Sequence, residues 1–253
     1  MSNHKYIVGS GWFCTAGQAA RFGSRYSRTV EFRESLWKPL LFRYSSPAAL
    51  IIVDSSSPIS LPHDSRERVV TLTDNFQVLP TRLNGWMRGF LLGAHFAYCC
   101  HADFFYVEQD CLAVGPWVQR TYEYAESIGF GKFLAGNVWH TYPLRHRRKR
   151  PMRRKVPWEL QQSLIFVPRR LIPELLYRIA MAKIPCSEDQ MSKCGVEFDF
   201  LPFGVGRIRP LPINDEVVYA QHLSDDETLM FADREGLADR VRSDLASSED
   251  WRG

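Results

Sequence analysis

At 253 residues the chain can bury roughly three quarters of its unfolded surface in one large domain, and its composition, 45% hydrophobic and 24% charged, is that of a globular protein rather than a disordered one. The net charge of +4 is unevenly spread: eight Lys and Arg fall within residues 145–155, RHRRKRPMRRK, so the remainder nets −4. The most hydrophobic stretch, FLLGAHFAYCC, is about half of the roughly 20 residues a bilayer requires, and MSNHKYIVGSGW shows no long apolar core, so no membrane span is expected.

In chain order, short apolar runs rich in β-formers recur, each closing on polar or turn residues: KYIVGS (5–10), AALIIVDSSSP (48–58), RVVTLTDN (68–75) and DFFYVEQD (103–110). Their apolarity is continuous rather than alternating, which predicts strands buried on both faces and a mainly parallel sheet. Between the third and fourth runs, NGWMRGFLLGAHFAYCCHA (84–102) reads as a helix. Its Gly85, Gly89 and Gly93 share one face, where missing side chains permit close packing on the sheet. PWVQRTYEYAESIGF (116–130) reads as a helix opened by Pro116, KFLAGNVW (132–139) as a strand, and the basic run as a loop. QQSLIFVPRR (161–170) reads as another strand, and PELLYRIAMAKI (173–184) as a helix bounded by Pro173 and Pro185. Residues 197–223 hold short strands and proline turns, and the charged segment 233–253 reads as a surface helix or a frayed tail. The expected fold class is therefore α/β, a mainly parallel central sheet flanked by helices in a single domain over 1–232, with 233–253 as a charged C-terminal tail.

Six cysteines, at 14, 99, 100, 111, 186 and 194, include no CxxC pair, and Cys99 and Cys100 adjoin in an apolar context. They are expected to be reduced core thiols rather than disulfides or zinc ligands, in keeping with a cytosol.

Ligands of an open parallel sheet bind beyond the carboxyl ends of its strands. Asp54, followed by Ser55, Ser56 and Ser57, closes one strand, and Glu108 and Asp110 close another, so both groups belong to one edge. At spacing i, i+2 the two acids share a side, enough for one to hold a hard divalent cation directly and the other through water. A diphosphate would complete the shell of such a cation.

The order ALIIVDSSSP, then NGWMRGFLLGAHFAYCCHADFFYVEQD, resembles the donor half of the nucleotide-sugar glycosyltransferases of GT-A fold. In that family a strand ends on an acid near the nucleotide base, a helix follows, and a further strand ends on a DxD metal motif. Glu108-Gln109-Asp110 stands at the motif, departing from it by Glu at the first position. CSEDQM (186–191) is similar to the family's xED motif, and His222 in VVYAQHLSDD lies where many members place a C-terminal histidine ligand. The resemblance covers about residues 5–223, with a donor half of about 1–115 and an acceptor half of about 116–232. It implies a Rossmann-like GT-A sheet and a nucleoside-diphosphate sugar donor. The donor would be bound by Gly9, Ser10, Gly11, Trp12, Asp54, Ser55, Glu108, Gln109 and Asp110, with Mn²⁺ or Mg²⁺ on Asp110, Glu108 and His222. It further implies that Asp189 deprotonates a hydroxyl acceptor for attack with inversion while Glu188 positions that acceptor, a glycan or a lipid-linked molecule, in glycan or polysaccharide synthesis. The run Arg145–Lys155 would recruit an anionic acceptor or touch an anionic membrane at its inner face; nucleic acid is not an expected partner.

Taken singly, these features have plainer readings: a solvated strand end for Glu108 and Asp110, a helix-start charge pair for Glu188 and Asp189, a surface histidine at 222, turn chemistry at Asp54, a core aromatic at Trp12 and a solvated basic loop. Three other functions compete. A sugar nucleotidyltransferase shares the sheet and the metal carboxylates but carries a Gly-rich basic phosphate loop near the first strand, whereas in GSGWFCTAGQAARFG the first basic residue is Arg21. A protein built around the basic run would bind nucleic acid or an anionic surface by counterion release. An inactive GT-A scaffold would account for Glu at position 108.

Overall fold

Seven strands make one sheet in the computed structural model, which describes residues 4–14, 24–74, 85–137, 160–181, 208–211 and 218–247. The strands are β1 (Tyr6–Trp12), β2 (Ala49–Asp54), β3 (Glu67–Thr71), β4 (Asp103–Val107), β6 (Phe133–Asn137), β7 (Leu160–Val167) and β8 (Ile208–Pro210), ordered β3-β2-β1-β4-β7-β6-β8. A separate ladder joins β5 (Leu112–Val114) antiparallel to β9 (Val218–Ala220). The pairs β1/β2, β1/β4, β2/β3 and β6/β8 are parallel, while β7 runs against both β4 and β6. This is the mainly parallel single-domain α/β sheet that the apolar runs predict.

Side chains alternate along the strands between two cores. Ile7, Ile51, Val53, Phe104, Tyr106, Ile165 and Val167 enter one, with the helices α2 (Gly85–Cys99) and α4 (Ile172–Met181). Tyr6, Val8, Trp12, Leu50, Ile52, Phe105, Val107, Leu164 and Phe166 enter the other. That second core is closed by the helical run α1 (30–44), α3 (Trp117–Ser127), α5 (Asp225–Arg234) and α6 (Ala238–Ser247). Coverage of both faces explains why the strand sequences are apolar throughout rather than at every second position.

α2 lies close over β1 because both are stripped to glycine at the contact. A Cβ on Gly89 would come 3.0 Å from the Gly11 Cα, and one on Gly93 would meet the Phe104 ring at 2.8 Å. Gly9 faces that same ring, so the packing role expected of the helix glycines is met at Gly89 and Gly93.

The structure differs from the sequence reading at five places. β3 is an edge strand with Val70 41% exposed, so the third run is not buried on both faces. β7 is antiparallel, and with both its faces covered its sequence carries no mark of direction. α1, which no run announced, puts Leu36, Trp37, Leu40 and Leu41 into the core and contains a wider turn over Arg33–Trp37. The charged C-terminal segment does carry a helix, one of its two readings, but it is packed rather than at the surface: Leu237, Ala238 and Val241 are buried. Finally, Cys14 and Cys111 are core thiols, but Cys99 is exposed at the end of α2. No helix among the described residues is long and apolar enough to cross a membrane.

Candidate functional site

From β1 the chain passes to β2 and β3 on one side and returns through α2 to β4 on the other. The carboxyl ends of β1 and β4 therefore flank a switch point, where the diverging connections open a crevice. Register sets the heights: Trp12 lies level with Asp54, and Gly9 with Tyr106. The end of β2 and the acidic turn after β4 stand about 10 Å apart, two inter-strand spacings.

The acidic turn is held from several sides. Trp37 Nε1 donates to the Glu108 carbonyl at 3.1 Å, and the Cys111 amide to the same oxygen at 3.0 Å. The Glu108 amide donates to the Ser163 carbonyl at 2.7 Å. Glu108 Oε2 accepts from Ser163 Oγ at 3.0 Å and from Gln221 Nε2 at 2.9 Å. The same Gln221 nitrogen donates to Asp110 Oδ1 at 3.0 Å, and Asp110 Oδ2 meets His222 Nδ1 at 2.9 Å. Burial pushes the Cys111 thiol well above its ordinary range, and the charges of Asp110 and Glu108 push it further.

His222 reaches Asp110 because β9 pairs with β5, the strand that leaves the acidic turn. At the end of β9 its backbone turns into the left-handed region, φ 55°. A β-carbon there costs on the order of 1 kcal/mol or more, and the neighbouring ladder and the capped start of α5 hold it in place. The Asp110 side chain is 11% exposed and that of His222 44%, so the pair opens outward.

Among the described residues no three His, Cys, Asp or Glu side chains form a metal-ligand group. Asp110 and His222 nevertheless suit a shared cation. Two donors about 2.1 Å from one ion at a right angle lie about 3 Å apart, which is close to the 2.9 Å between Oδ2 and Nδ1. Glu108 belongs to a different set of contacts, with its Oε2 turned to Ser163 and Gln221.

Other expected site residues are placed differently. Ser10 and Trp12 are 0% and 1% exposed. They alternate in phase with Tyr6 and Val8, so their side chains point into a core rather than toward a ligand. The Trp12 ring packs edge-on against Trp37, with the Arg33 guanidinium 5.6 Å from its centre, so its faces are not open to a base. Gly9 and Gly11 lie under α2. Gln109 is buried and accepts from the Phe13 amide at 2.8 Å, which ties the end of β1 to the turn.

Asp54 is also buried, and its carboxylate accepts from the Ser57 amide at 3.2 Å and from the Ser57 hydroxyl, an ordinary turn arrangement. The Ser55 amide donates to the Trp12 carbonyl, and the Cys14 amide donates to Ser57 Oγ, so the loops after β1 and β2 are laced together. Asp54 and Ser57 nonetheless line a cleft of about 950 Å³ with His63, Arg68 and Thr71 along the outer strands. Its size falls within the range of small-molecule sites. Glu188, Asp189 and the run Arg145–Lys155 lie outside the described residues. Ser163 and Gln221 were not among the expected residues, since a lone hydroxyl and a lone amide carry no motif.

No protein-family model and no curated protein matches the chain. Among solved structures it is similar to a 4-diphosphocytidyl-2C-methyl-D-erythritol synthase, at 15% identity and a TM-score of 0.40, over 85% of this chain and 91% of that one. It is also similar to the 4-diphosphocytidyl-2C-methyl-D-erythritol synthase from Anaerococcus prevotii DSM 20548, at 10% identity and a TM-score of 0.40, over 84% of this chain and 90% of that one. Likeness at this level adds no function to what the site's geometry supports.

Proposed function

We propose that the protein is a transferase acting on a nucleotide-linked sugar, and that it moves the sugar to a hydroxyl acceptor. The observation that carries this reading is the meeting of Asp110 with His222, 2.9 Å apart, on the ligand edge of the sheet. Two protein ligands are too few to cage a cation but suit one that takes its other ligands from phosphate oxygens and water. Bound there, Mn²⁺ or Mg²⁺ would supply Lewis-acid stabilisation of the departing diphosphate.

The chain's own residues would do the remaining work. Asp110 and His222 fix where the diphosphate lies. The cleft lined by Asp54, Ser57 and Thr71 along the outer strands would take the nucleoside. Asp189, in the xED-like sequence, is proposed as the base. Its carboxylate takes the acceptor's proton while the acceptor oxygen attacks the anomeric carbon opposite the leaving group, which gives inversion. Glu188 is proposed to position the acceptor, a glycan or lipid-linked molecule, and Arg145–Lys155 to attract it if it is anionic.

A second reading is sugar nucleotidyl transfer, which would use the same edge and the same acids. It would form a diphosphonucleoside compound of the sort for which the two solved structures are named. One pair of measurements separates the two. Thermal shift with UDP-, GDP-, dTDP- and CMP-sugars, with and without Mn²⁺, is expected to show stabilisation by one of them only with metal. Its nucleotide is then released when an acceptor is supplied. Pyrophosphate release from a nucleoside triphosphate and a sugar phosphate would replace glycosyl by nucleotidyl transfer, and no shift with any ligand would overturn both.

A further inference from the structure

Gln221 is 7% exposed, and its amide nitrogen lies 2.9 Å from Glu108 Oε2 and 3.0 Å from Asp110 Oδ1. Only the NH₂ end of the amide can face two carboxylates, because the oxygen would meet acceptors alone. Its two hydrogens suffice for one bond to each acid. Ser163 donates to the same Glu108 oxygen at 3.0 Å, so that oxygen accepts two bonds pointing inward. Asp110, with Oδ1 engaged by the amide, presents Oδ2 to His222.

We propose that Gln221 is a positioning residue that ties the two acids of the turn together, directs Glu108 to Ser163 and away from the cation, and leaves Asp110 and His222 as the cation's protein ligands. This rests on the proposed metal-dependent use of a sugar nucleotide and names the division of labour within it. Glu108 is then an anchor of the turn rather than a substitute for the first aspartate of a DxD motif. Without the amide, Glu108 and Asp110 would lose the donor they share, and Asp110 would turn away from His222.

The test is Mn²⁺ binding, followed by electron paramagnetic resonance in the presence of the nucleoside diphosphate chosen by thermal shift, on the full chain. Gln221→Met keeps the length and removes both donors. It is expected to weaken Mn²⁺ binding about 10- to 100-fold, as loss of a residue that orients metal ligands does. Glu108→Gln keeps the acceptor oxygen and is expected to change binding by no more than about three-fold, and adding it to Gln221→Met is expected to restore part of the loss, because the repulsion is gone.

Normal Mn²⁺ affinity in Gln221→Met overturns the proposal, as does a loss in Glu108→Gln as deep as that in Asp110→Asn. The second comparison stands even where Gln221→Met does not fold. If the unaltered chain binds no Mn²⁺ with any nucleotide, the metal-dependent reading itself has failed and this inference falls with it. If it binds Mn²⁺ but the Gln221 and Glu108 outcomes are reversed, only the division of labour is wrong.

Discussion

Beneath α1 three carboxylates meet three bases, whereas beyond β4 two carboxylates meet an amide, a hydroxyl and an imidazole among the described residues. In the first region Arg33, with 0% of its side chain exposed, pairs with Glu67 and Glu34 and donates to the Pro62 carbonyl at 2.8 Å. Lys38 reaches Glu67 at 2.7 Å, Asp64 at 3.3 Å and Glu34 at 3.4 Å, and Arg66 reaches Asp64 at 2.8 Å. In the second, Ser163 and Gln221 donate to Glu108, and Gln221 and His222 meet Asp110. Charges that serve the fold bring their own counter-ions with them. Among the described residues, the acids after β4 are instead held by an amide and a hydroxyl, with an imidazole on the outer side of Asp110.

Mutations in the two regions should therefore separate stability from binding. The largest effect on stability is expected from Glu67→Gln, which leaves Arg33 buried without its main partner. Loss of one member of a buried pair costs about 3–5 kcal/mol, or roughly 10 °C in Tm for a domain of this size. A melting curve within about 2 °C of the parent would show that the cluster is not the internal neutralisation described above.

Asp110→Asn is expected to act the other way. Metal-dependent nucleotide binding should fall at least about 100-fold, more than the loss of an orienting residue, while Tm stays within about 2 °C because the amide can still sit between Gln221 and His222. Substantial unfolding together with the loss of binding would place Asp110 among the fold's own charges and erase the contrast.

A smaller effect concerns pH. Burial alone would lower the Lys38 ammonium, but hydrogen bonds and charges from Glu67, with Glu34 and Asp64, carry it above its ordinary 10.5. Because the folded value is the higher one, the stability Lys38 provides is complete below pH 10.5 and is lost as pH climbs through the folded value. Thermal melts between pH 8 and 12 should therefore fall more steeply for the parent than for Lys38→Met. Parallel curves would mean that Lys38 contributes nothing through its charge.

These two regions also differ in how far the sequence discloses them. Asp110 drew attention because it follows an apolar strand in the fourth place, and His222 only through the resemblance to glycosyltransferases of GT-A fold; the structure sets the two side by side. The strands themselves were legible from unbroken apolar runs, and the α2 face from glycines four apart. α1 was hidden because Arg33 and Lys38 are buried within it and Pro39 interrupts its pattern, so the ion cluster disguises the helix that carries it. Ser10 and Trp12 were misplaced among ligand contacts although their alternation with Tyr6 and Val8 already put them on a core side. Gln221 gave no signal, since its role depends on two acids more than a hundred residues earlier in the chain.

The smallest expected effect tests whether His222 is set by the sheet or by the helix after it. Ser224 caps α5: its Oγ accepts from the Glu227 amide at 3.2 Å, and Glu227 Oε2 accepts from the Ser224 amide at 2.9 Å. Removing such a cap by Ser224→Ala costs about 1 kcal/mol, or about 3 °C in Tm. The turn keeps other holds, because the Ser24 amide donates to the Leu223 carbonyl at 2.9 Å, Ser24 Oγ donates to Asp225, and Ala220 remains paired with Leu112. His222 should therefore stay over Asp110, and Mn²⁺-dependent nucleotide binding should change by less than about two-fold. A loss of binding approaching that of Asp110→Asn would mean that the helix cap holds the metal pair together, and that stability and ligand binding are not divided between the two regions.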